Sequence, residues 1–480
     1  TYGSDLDKRV PTGIEGLDGA IGGGFPEGSL ILVAGNPGTG KTSLAARFLL
    51  TGAESDEPGV YVSFAERRQV LLENLSRQFG RSLWKLEEEG KLRILDMATM
   101  KEEAVPEISE AIINEVQAMG AKRLAVDSFT AMAQAFKEPI DVRAMLHSIF
   151  GKLVGQLGCT TVLISEAPFG SERIGLGLEE FVADGLIILR RIRLEDRPFR
   201  ELEIVKLRGT KLAQEKMAFT LEGGFQAIPV FREKPIEKPG RFQPIPDPPG
   251  KFSSGCAELD RILGGGYERG STALFEIEPW ISTRQYQLLI SPTIWNFLSQ
   301  GRALIMVPSP GVDPLLVKRR ISEGGIHEAE IDALIRICVQ REASAQADPC
   351  ILQVEGRDIW EDYRKCLEAA EGLAKEGHGP ILSVIGAISL ANRYGSDRTI
   401  NVLGIEATKT RMGGGLMLLL LRPCREDLRG DLGAMADVHL RIMREHGALL
   451  LRGIKPRTHL FAIEMDVSKG YPMPKLIPIS

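Results

Sequence analysis

Residues 29–42 read SLILVAGNPGTGKT, and this stretch restricts the chain to one class of fold. Residues 29–34 form a short apolar run that ends at a glycine, which is typical of a buried parallel strand. Residues 35–42 match the pattern G-x-x-x-x-G-K-[ST], and a helix is predicted to begin at Lys41. The sequence therefore predicts a strand, a glycine-rich loop and a helix in direct succession.

A loop of this composition between a strand and a helix favours phosphate binding over a plain glycine-rich turn. Its glycines let backbone N–H groups point at an anion, and the helix N-terminus adds a favourable dipole. Lys41 is expected to meet the β- and γ-phosphates of a nucleotide, and the Thr42 hydroxyl to ligate Mg²⁺. ATP and Mg²⁺ are the expected ligands. The predicted nucleotide-binding residues are Gly35, Asn36, Pro37, Gly38, Thr39, Gly40, Lys41 and Thr42.

Polar residues also follow other predicted strands. Asp127 ends the apolar run 123–127, an arrangement that holds Mg²⁺ in nucleotide-binding proteins. Glu66 follows the strand 60–64 and is placed to orient an attacking water. Ser165 ends the strand 160–164 and is a candidate sensor of the γ-phosphate, with a helix cap as an equal alternative. Because ligands of such sheets bind at the carboxyl ends of the strands, we expect these side chains to converge.

The sequence contains an internal repeat. Residues 12–30 (TGIEGLDGAIGGGFPEGSL) and 254–272 (SGCAELDRILGGGYERGST) align without a gap at a constant offset of 242 residues. Three consecutive glycines match, which suggests one turn built twice from positive-φ positions. A chance match of this length is improbable, so the pattern indicates a duplicated domain.

A proline-rich stretch separates the two repeats and predicts an extended connector without a helix. The predicted organisation is a nucleotide-binding domain over 1–231, a linker over 232–251 and a second domain over 252–480. Strands and helices alternate within each half, so the fold class is α/β, with two tandem domains that resemble RecA-like domains. Each is a mostly parallel sheet flanked by helices.

Composition excludes several classes of protein. With 480 residues, 43% of them hydrophobic and 26% charged, the chain is an ordinary globular protein of two domains. The longest aliphatic run, 416–421, is too short to span a bilayer, and no signal peptide is visible. The six cysteines lack C-x-x-C spacing, which favours free thiols in a reducing cytosol, and a cytoplasmic location is expected.

These motifs resemble the KaiC-like branch of the RecA superfamily of ATPases. The resemblance rests on the loop at 35–42, TGIEGLD at 12–18, GGGFPEGS at 22–29 and KLRGT at 206–210. It implies a homo-oligomeric ring, expected to be a hexamer, that hydrolyses ATP to ADP and phosphate. It also implies that Lys206 and Arg208 act in trans on the γ-phosphate of a neighbouring subunit; the alternative is a solvated strand end.

Two departures from the family pattern bear on activity. Relatives carry two glutamates after the strand that ends at Phe64, and here the first of these positions is Ala65. Either Glu66 substitutes as the catalytic residue, or hydrolysis is very slow and ATP serves as a switch. In the second half, residues 277–284 (IEPWISTR) stand in register with the phosphate loop and lack its glycines and lysine. This half is predicted to be degenerate and kept for assembly or for binding an unidentified protein client.

Three functions remain open at this level. The leading hypothesis is a ring-forming regulatory or signalling ATPase. The runner-up is a DNA recombinase, which the net charge of −5 and the single basic residue of 167–178 disfavour. Several arginines surround a predicted hairpin at 190–200. Together they favour a solvated hairpin over a patch that binds nucleic acid. The third is a nucleotide-gated scaffold or transcriptional regulator, similar to the P-loop regulators of gas-vesicle formation.

Overall fold

The structure is a computed structural model that describes residues 8–97, 105–133, 151–167, 183–340, 348–423 and 425–479. The chain divides into two compact units. Unit 1 comprises Thr1–Val230, His446–Ala448 and Pro478–Ser480, and unit 2 comprises Phe231–Glu445 and Leu449–Ile477. Within the described ranges, no helix combines the length and the apolar character that a membrane span requires.

Unit 1 alternates strands and helices, as the sequence predicts. Its strands are β1 (Arg9–Val10), β2 (Phe25–Pro26), β3 (Leu30–Gly35), β4 (Gly59–Ser63), β5 (Leu92–Asp96), β6 (Arg123–Asp127), β7 (Thr160–Glu166), β8 (Gly185–Leu194), β9 (Arg197–Leu207), β10 (Lys216–Thr220) and β11 (Gln226–Ala227). Its helices are α1 (Glu15–Ala20), α2 (Lys41–Glu54), α3 (Arg68–Phe79), α4 (Leu83–Glu88), α5 (Val105–Met119) and α6 (Phe129–Ala133), with a π-helical segment at Gly151–Gln156.

The main sheet of unit 1 has the order β11-β10-β9-β8-β3-β7-β6-β4-β5. From β8 to β5 neighbouring strands are parallel, whereas β8, β9, β10 and β11 pair antiparallel in succession. β3 lies between β7 and β8, so the loop that follows β3 emerges at the middle of the carboxyl edge. This is where ligands of parallel sheets bind.

The side chains of β3 alternate between two hydrophobic cores, one on each face of the sheet. Ile31 and Val33 pack with Phe48 of α2, whereas Leu32 packs with Ile112 of α5. A strand covered on both faces must be apolar throughout, which explains the continuous run at 29–34. The central strand is thereby held rigidly below the loop at 35–42.

The second sheet is built in the same way. Its unit carries the strands β12 (Lys251–Phe252), β13 (Tyr267–Glu268), β14 (Ser271–Ile277), β15 (Leu304–Val307), β16 (Ile335–Gln340), β17 (Ile351–Val354), β18 (Leu382–Gly386), β19 (Leu416–Leu421), β20 (Val438–Glu445), β21 (Ala448–Lys455), β22 (Leu460–Asp466) and β23 (Met473–Ile479). The helices are α7 (Ala257–Ile262), α8 (Thr283–Ser299), α9 (Pro314–Ser322), α10 (Glu328–Leu334), α11 (Ile359–Leu373), α12 (Ala387–Tyr394), α13 (Ser396–Gly413) and α14 (Glu426–Met435), with a π-helical segment at Ala374–His378.

The order of this sheet is β17-β16-β15-β18-β19-β14-β20-β21-β22-β23. β14 lies between β19 and β20 and is parallel to both, as β3 is to β7 and β8. The turns repeat as well, because Gly22, Gly23 and Gly24 and their counterparts Gly264, Gly265 and Gly266 all have positive φ. The predicted α/β class with two mostly parallel sheets is confirmed.

The proline-rich stretch contains no helix or strand before Lys251. Phe242 lies at its centre and is buried in the core of unit 2. Its ring contacts Trp295, with ring centres 5.7 Å apart, and Tyr471, at 5.4 Å. The segment is therefore anchored by an aromatic side chain to the unit that follows it.

Candidate functional site

The loop between β3 and α2 needs glycine at defined positions. A Cβ atom on Gly35 would lie 2.5 Å from the carbonyl oxygen of Leu189 on the neighbouring strand. Gly40 has φ 103° and directly precedes α2. Residues that carry a side chain rarely adopt that φ, so the turn into the helix requires glycine. The glycines of the motif thus follow from the close approach of β8 and from the turn itself.

Lys41 is the first residue of α2, and its side chain folds back over the loop. Its Nζ atom donates to the carbonyl oxygens of Gly35 and Asn36, both at 2.9 Å. Burial lowers the pKa of Lys41, and the nearby carboxylates of Glu166 and Asp127 oppose that change. A partly desolvated ammonium group at the head of a helix is suited to an anionic ligand.

Asp127 is the centre of a hydrogen-bond network at the end of β6. Its Oδ2 atom accepts from the Thr42 hydroxyl at 2.7 Å and from the Tyr61 hydroxyl at 2.6 Å. Burial raises the pKa of Tyr61 well above its usual range, and Asp127 adds to the effect. The structure thus brings the two predicted metal ligands together and adds Tyr61, which our sequence analysis missed. The only signal was a tyrosine inside a buried strand, since such a hydroxyl needs a partner.

Ser165 lies at the end of β7, next to the loop after β3. Its side chain is buried and its Oγ atom lies 3.3 Å from the hydroxyl oxygen of Thr130. The adjoining residues support the loop, because the Asn36 side chain donates to the carbonyl of Ala167 at 2.8 Å. The role of Ser165 as a γ-phosphate sensor stays a prediction. Residues 168–182, which include most of the segment 167–178, lie outside the described part of the chain.

Glu66 follows β4 at the same edge of the sheet, because Ser63 pairs in register with Asp127. Its backbone N–H donates to the Ser63 hydroxyl at 3.1 Å, which fixes the turn after the strand. The side chains of Ala65 and Glu66 are exposed, and one carboxylate oxygen of Glu66 lies 3.5 Å from the Asn74 amide nitrogen. Both positions therefore border the site from its solvent side.

Lys206 and Arg208 lie at the opposite edge of the same sheet. β9 runs antiparallel to β8, so Leu207 pairs with Gly185 at the start of β8, whereas Leu202 pairs with Leu189 beside the loop. At about 3.3 Å per residue, Arg208 lies roughly 20 Å along the strand from the level of the loop. Its side chain is 62% exposed, with Nη1 3.5 Å from Asp184 Oδ1. The structure does not bring these cations to the loop of their own chain.

Arg200 is a second residue that our sequence analysis did not assign to the site. Its Nη1 atom donates to the carbonyl of Gly38 at 3.3 Å, and burial lowers its pKa, with Arg191 adding to the effect. Arg190, from the same hairpin, instead forms ion pairs with Glu201 and Glu203. The hairpin arginines therefore have separate surroundings and do not form one uniform basic patch.

In unit 2, two carboxylates lie at the end of β14 and in the loop that follows it, and each is paired with an arginine. Glu276 is buried at the position of Ala34 and contacts Arg429 Nε at 3.1 Å and His439 Nε2 at 3.0 Å. Glu278 takes the position of Asn36 and accepts from Arg441 Nη2 at 3.3 Å. Thr283 stands in register with Lys41, so the loop offers no lysine to a phosphate.

A parallel sheet whose central strand leads through a glycine-rich loop into a helix, with Asp127 beside Thr42, defines a RecA-like nucleotide-binding protein of the P-loop class. Comparison with known proteins narrows this class. The family model of the ATPase KaiC matches residues 10–234. A second model, described as GvpD basic region 2, matches residues 241–332.

Curated relatives carry the same name. The circadian clock oscillator protein KaiC of Thermostichus vulcanus is 31% identical over 385 residues, which covers 78% of this chain and 71% of that protein. KaiC of Synechococcus elongatus is 36% identical over 279 residues, covering 55% of this chain and 51% of that protein. The match to the latter therefore spans about half of its length. This chain belongs to the KaiC-like branch of the RecA-superfamily P-loop ATPases.

A solved structure is similar as well. The crystal structure of a KaiC-like protein from Pyrococcus horikoshii OT3 is 37% identical in sequence, with a TM-score of 0.42. The match covers 46% of this chain and 99% of the chain from Pyrococcus horikoshii.

Proposed function

We propose that the protein is a slow, ring-forming regulatory ATPase that binds one Mg·ATP per chain in unit 1. Each ATP lies between two copies of the chain, so that nucleotide binding strengthens their association. The proposal keeps the predicted division into a nucleotide-binding domain, a linker and a degenerate second domain. It also keeps the expectation of a hexamer and of an unidentified protein client.

The residues at the loop fit a phosphate and a divalent cation. Backbone N–H groups of the loop and the ammonium of Lys41 would bind the phosphates, and Arg200 adds a cation beside Gly38. Thr42 and Asp127 offer oxygen atoms 2.7 Å apart, which suits the oxygen preference of Mg²⁺. These two residues would hold the ion, which would neutralise charge on the phosphates.

The observation that carries the proposal is the separation of cations within one sheet. Lys41 lies at the carboxyl edge, whereas Lys206 and Arg208 follow the far end of β9 at the amino edge. A cation at that distance serves no phosphate of its own chain, but it can reach the carboxyl edge of another copy placed head to tail. Repeating such a contact closes a ring when the rotation from one copy to the next closes, and the proposed ring requires this rotation. A cation supplied in this way stabilises charge on a transferring phosphoryl group and is worth roughly 10³–10⁵ in rate.

Mixing two inactive variants tests the shared site. Lys41→Ala should abolish ATP binding, and Arg208→Ala should bind ATP but hydrolyse and assemble poorly. Mixed assemblies should recover part of the activity, because some interfaces pair an intact loop with an intact Arg208. Arg93→Ala is the matched control, since Arg93 is a half-exposed surface partner of Glu115, and it should behave as wild type. No recovery in mixed assemblies confirmed by native mass spectrometry would contradict the trans arrangement, as would a monomer in saturating ATP.

A second candidate function is a nucleotide-gated scaffold or transcriptional regulator with almost no hydrolysis. It is favoured by Ala65, which stands where relatives carry a glutamate, and by the match of 241–332 to GvpD basic region 2. Assays of ADP formation over several hours, with ATP in excess, separate the two functions. If ATP drives assembly while no ADP forms over hours, the scaffold replaces the ATPase; steady production of ADP that Glu66→Gln abolishes supports the ATPase.

A further inference from the structure

The degenerate loop of unit 2 presents an exposed tryptophan. Trp280 is 78% exposed, lies in the loop between β14 and α8, and takes the position that Gly38 has in unit 1. We propose that Trp280 anchors a nucleotide-independent contact between unit 2 of one copy and unit 2 of a second copy, where its ring stacks on Arg457. This inference rests on the proposed function, because it applies the same head-to-tail arrangement to unit 2.

Trp280 and Arg457 lie at opposite edges of their sheet. β14 and β20 are parallel, and β20 and β21 are neighbours joined by a turn at 446–447, so β21 returns antiparallel. β21 therefore ends at the amino edge, and Arg457 follows it by two residues. Trp280 follows the carboxyl end of β14. The seven residues of β14 separate the two edges by about 23 Å, so the two side chains cannot meet within one copy.

The loop at Trp280 does not suit a phosphate. Glu276 pairs with Arg429 and Glu278 pairs with Arg441, and Glu278 also accepts a hydrogen bond from the backbone N–H of Arg444 at 3.1 Å, so the nearby cations are already engaged. A bound phosphate would bring negative charge against two carboxylates. An uncharged ring that accepts a cation on its face meets no such repulsion. The site that takes ATP in unit 1 is therefore replaced in unit 2 by an aromatic contact.

The carboxyl edge carries further apolar surface. Leu315, 69% exposed, and Trp360, 45% exposed, begin the helices that follow β15 and β17. Of the four tryptophans in the chain, the two exposed ones thus both lie at this edge, whereas Trp295 is buried and Trp84 is half-buried. In the order of the sheet Trp360 follows β17, five strands from β14, so Trp280 is the aromatic side chain that stands at the degenerate loop itself. An exposed tryptophan is a typical anchor of protein interfaces.

The amino edge offers a matching surface. Arg457 is exposed, and Met412, 84% exposed, lies just before β19 at the same edge. A guanidinium over an indole face is attractive, and a methionine sulfur packs well against a ring. One edge thus supplies aromatic rings and the other a cation and a thioether. Such a pair of different surfaces repeats head to tail, which fits a second copy of this chain.

The test is sedimentation velocity of the full chain without nucleotide. Wild type should associate with a measurable dissociation constant, and Trp280→Ala or Arg457→Ala should each raise it by about tenfold or more. The double variant should be little weaker than either single variant, because each removes the same contact. Ile405→Ala and Arg364→Ala, at exposed positions on α13 and α11, are the matched controls and should not change association.

Several results would overturn the inference. A wild-type chain that stays monomeric without nucleotide would do so, as would unchanged association of the two single variants or fully additive effects. Both side chains are exposed, so near-UV circular dichroism should show intact folding, and Trp280→Phe should retain part of the affinity. Arg208→Ala in ATP separates the two proposals. If Arg208→Ala assembles normally in ATP while Trp280→Ala associates weakly, only the trans arrangement of unit 1 is refuted. If Arg208→Ala assembles poorly while Trp280→Ala associates normally, only the Trp280 contact is refuted.

Discussion

At the scale of single residues, Asp127 is the group on which the proposed cation site depends. One of its oxygens accepts two hydroxyl hydrogen bonds, from Thr42 and from Tyr61. Hydrogen bonds to a charged acceptor are among the strong ones in proteins, and they hold the carboxylate in one orientation. Thr42 is a predicted ligand of the ion, whereas Tyr61 acts only through Asp127.

Replacing Tyr61 by phenylalanine should remove one of these two bonds. We expect a loss of about 1–2 kcal/mol in the unfolding free energy of unit 1, because the bond is buried and its acceptor is charged. The half-saturating Mg²⁺ concentration for ATP binding should also rise, since Asp127 is less well oriented. Urea unfolding and Mg²⁺ titrations measure the two effects. Tyr363→Phe, which removes a hydroxyl bond to Glu406 in unit 2, should leave the Mg²⁺ requirement unchanged.

Ala65 should limit the rate of hydrolysis. Introducing glutamate there places a carboxylate beside Glu66 at the solvent side of the site, where it can orient water and take its proton. Ala65→Glu should raise turnover, by up to about 10²-fold if the new group is well positioned. Ala65→Gln has the same shape without a base and should not. Unchanged turnover in Ala65→Glu, with Glu66→Gln inactive, would show that Glu66 already acts as the base.

At the scale of secondary-structure elements, Arg123 ties several parts of unit 1 together. It is the first residue of β6 and is almost fully buried. Its guanidinium donates to the carbonyl of Phe48 in α2 at 2.9 Å, to that of Pro11 at 2.7 Å, and to Glu57 at 2.6 Å. The helix that begins with Lys41 is thereby fixed against the strand that ends with Asp127.

Arg123→Ala should therefore destabilise unit 1 by about 2–4 kcal/mol, because the buried carbonyl of Phe48 loses its donor, the bonds to Pro11 and Glu57 are lost and a cavity forms. Denaturant unfolding measures this loss. The exposed ion pair of Arg93 provides the comparison, and Arg93→Ala should cost less than about 1 kcal/mol. Equal effects of the two substitutions would show that Arg123 contributes no more than a surface charge.

At the scale of the whole molecule, one sheet carries the glycine-rich loop with Lys41, and its repeat carries carboxylates and a tryptophan at the same register. Isothermal titration calorimetry should therefore find one Mg·ATP per chain. At a hundredfold excess over its dissociation constant, ATP should stabilise unit 1 by about 2.7 kcal/mol. Lys41→Ala should abolish binding, and Thr283→Ala, at the same register position in unit 2, should leave it intact. Two sites per chain would contradict this expectation.

Features that depend on neighbours in the chain could be predicted without a structure. The loop at 35–42, the strand before it and the helix after it are contiguous, and the glycine repeat is a match between two short segments. Each follows from local backbone geometry and from the periodicity of buried side chains. The α/β class and the family followed from these features.

The contacts within the site and the positions of its cations depend on the pairing of strands that are distant in the sequence. The hydroxyl of Tyr61 reaches Asp127 and the guanidinium of Arg200 reaches Gly38 only because β4 lies beside β6 and β9 beside β8. The same pairing places Lys206 and Arg208 at one edge of a sheet and Lys41 at the other, and it separates Trp280 from Arg457. Strand order and direction depend on packing across the whole core. No local sequence pattern therefore specifies which residues of distant strands come together at one edge of the sheet.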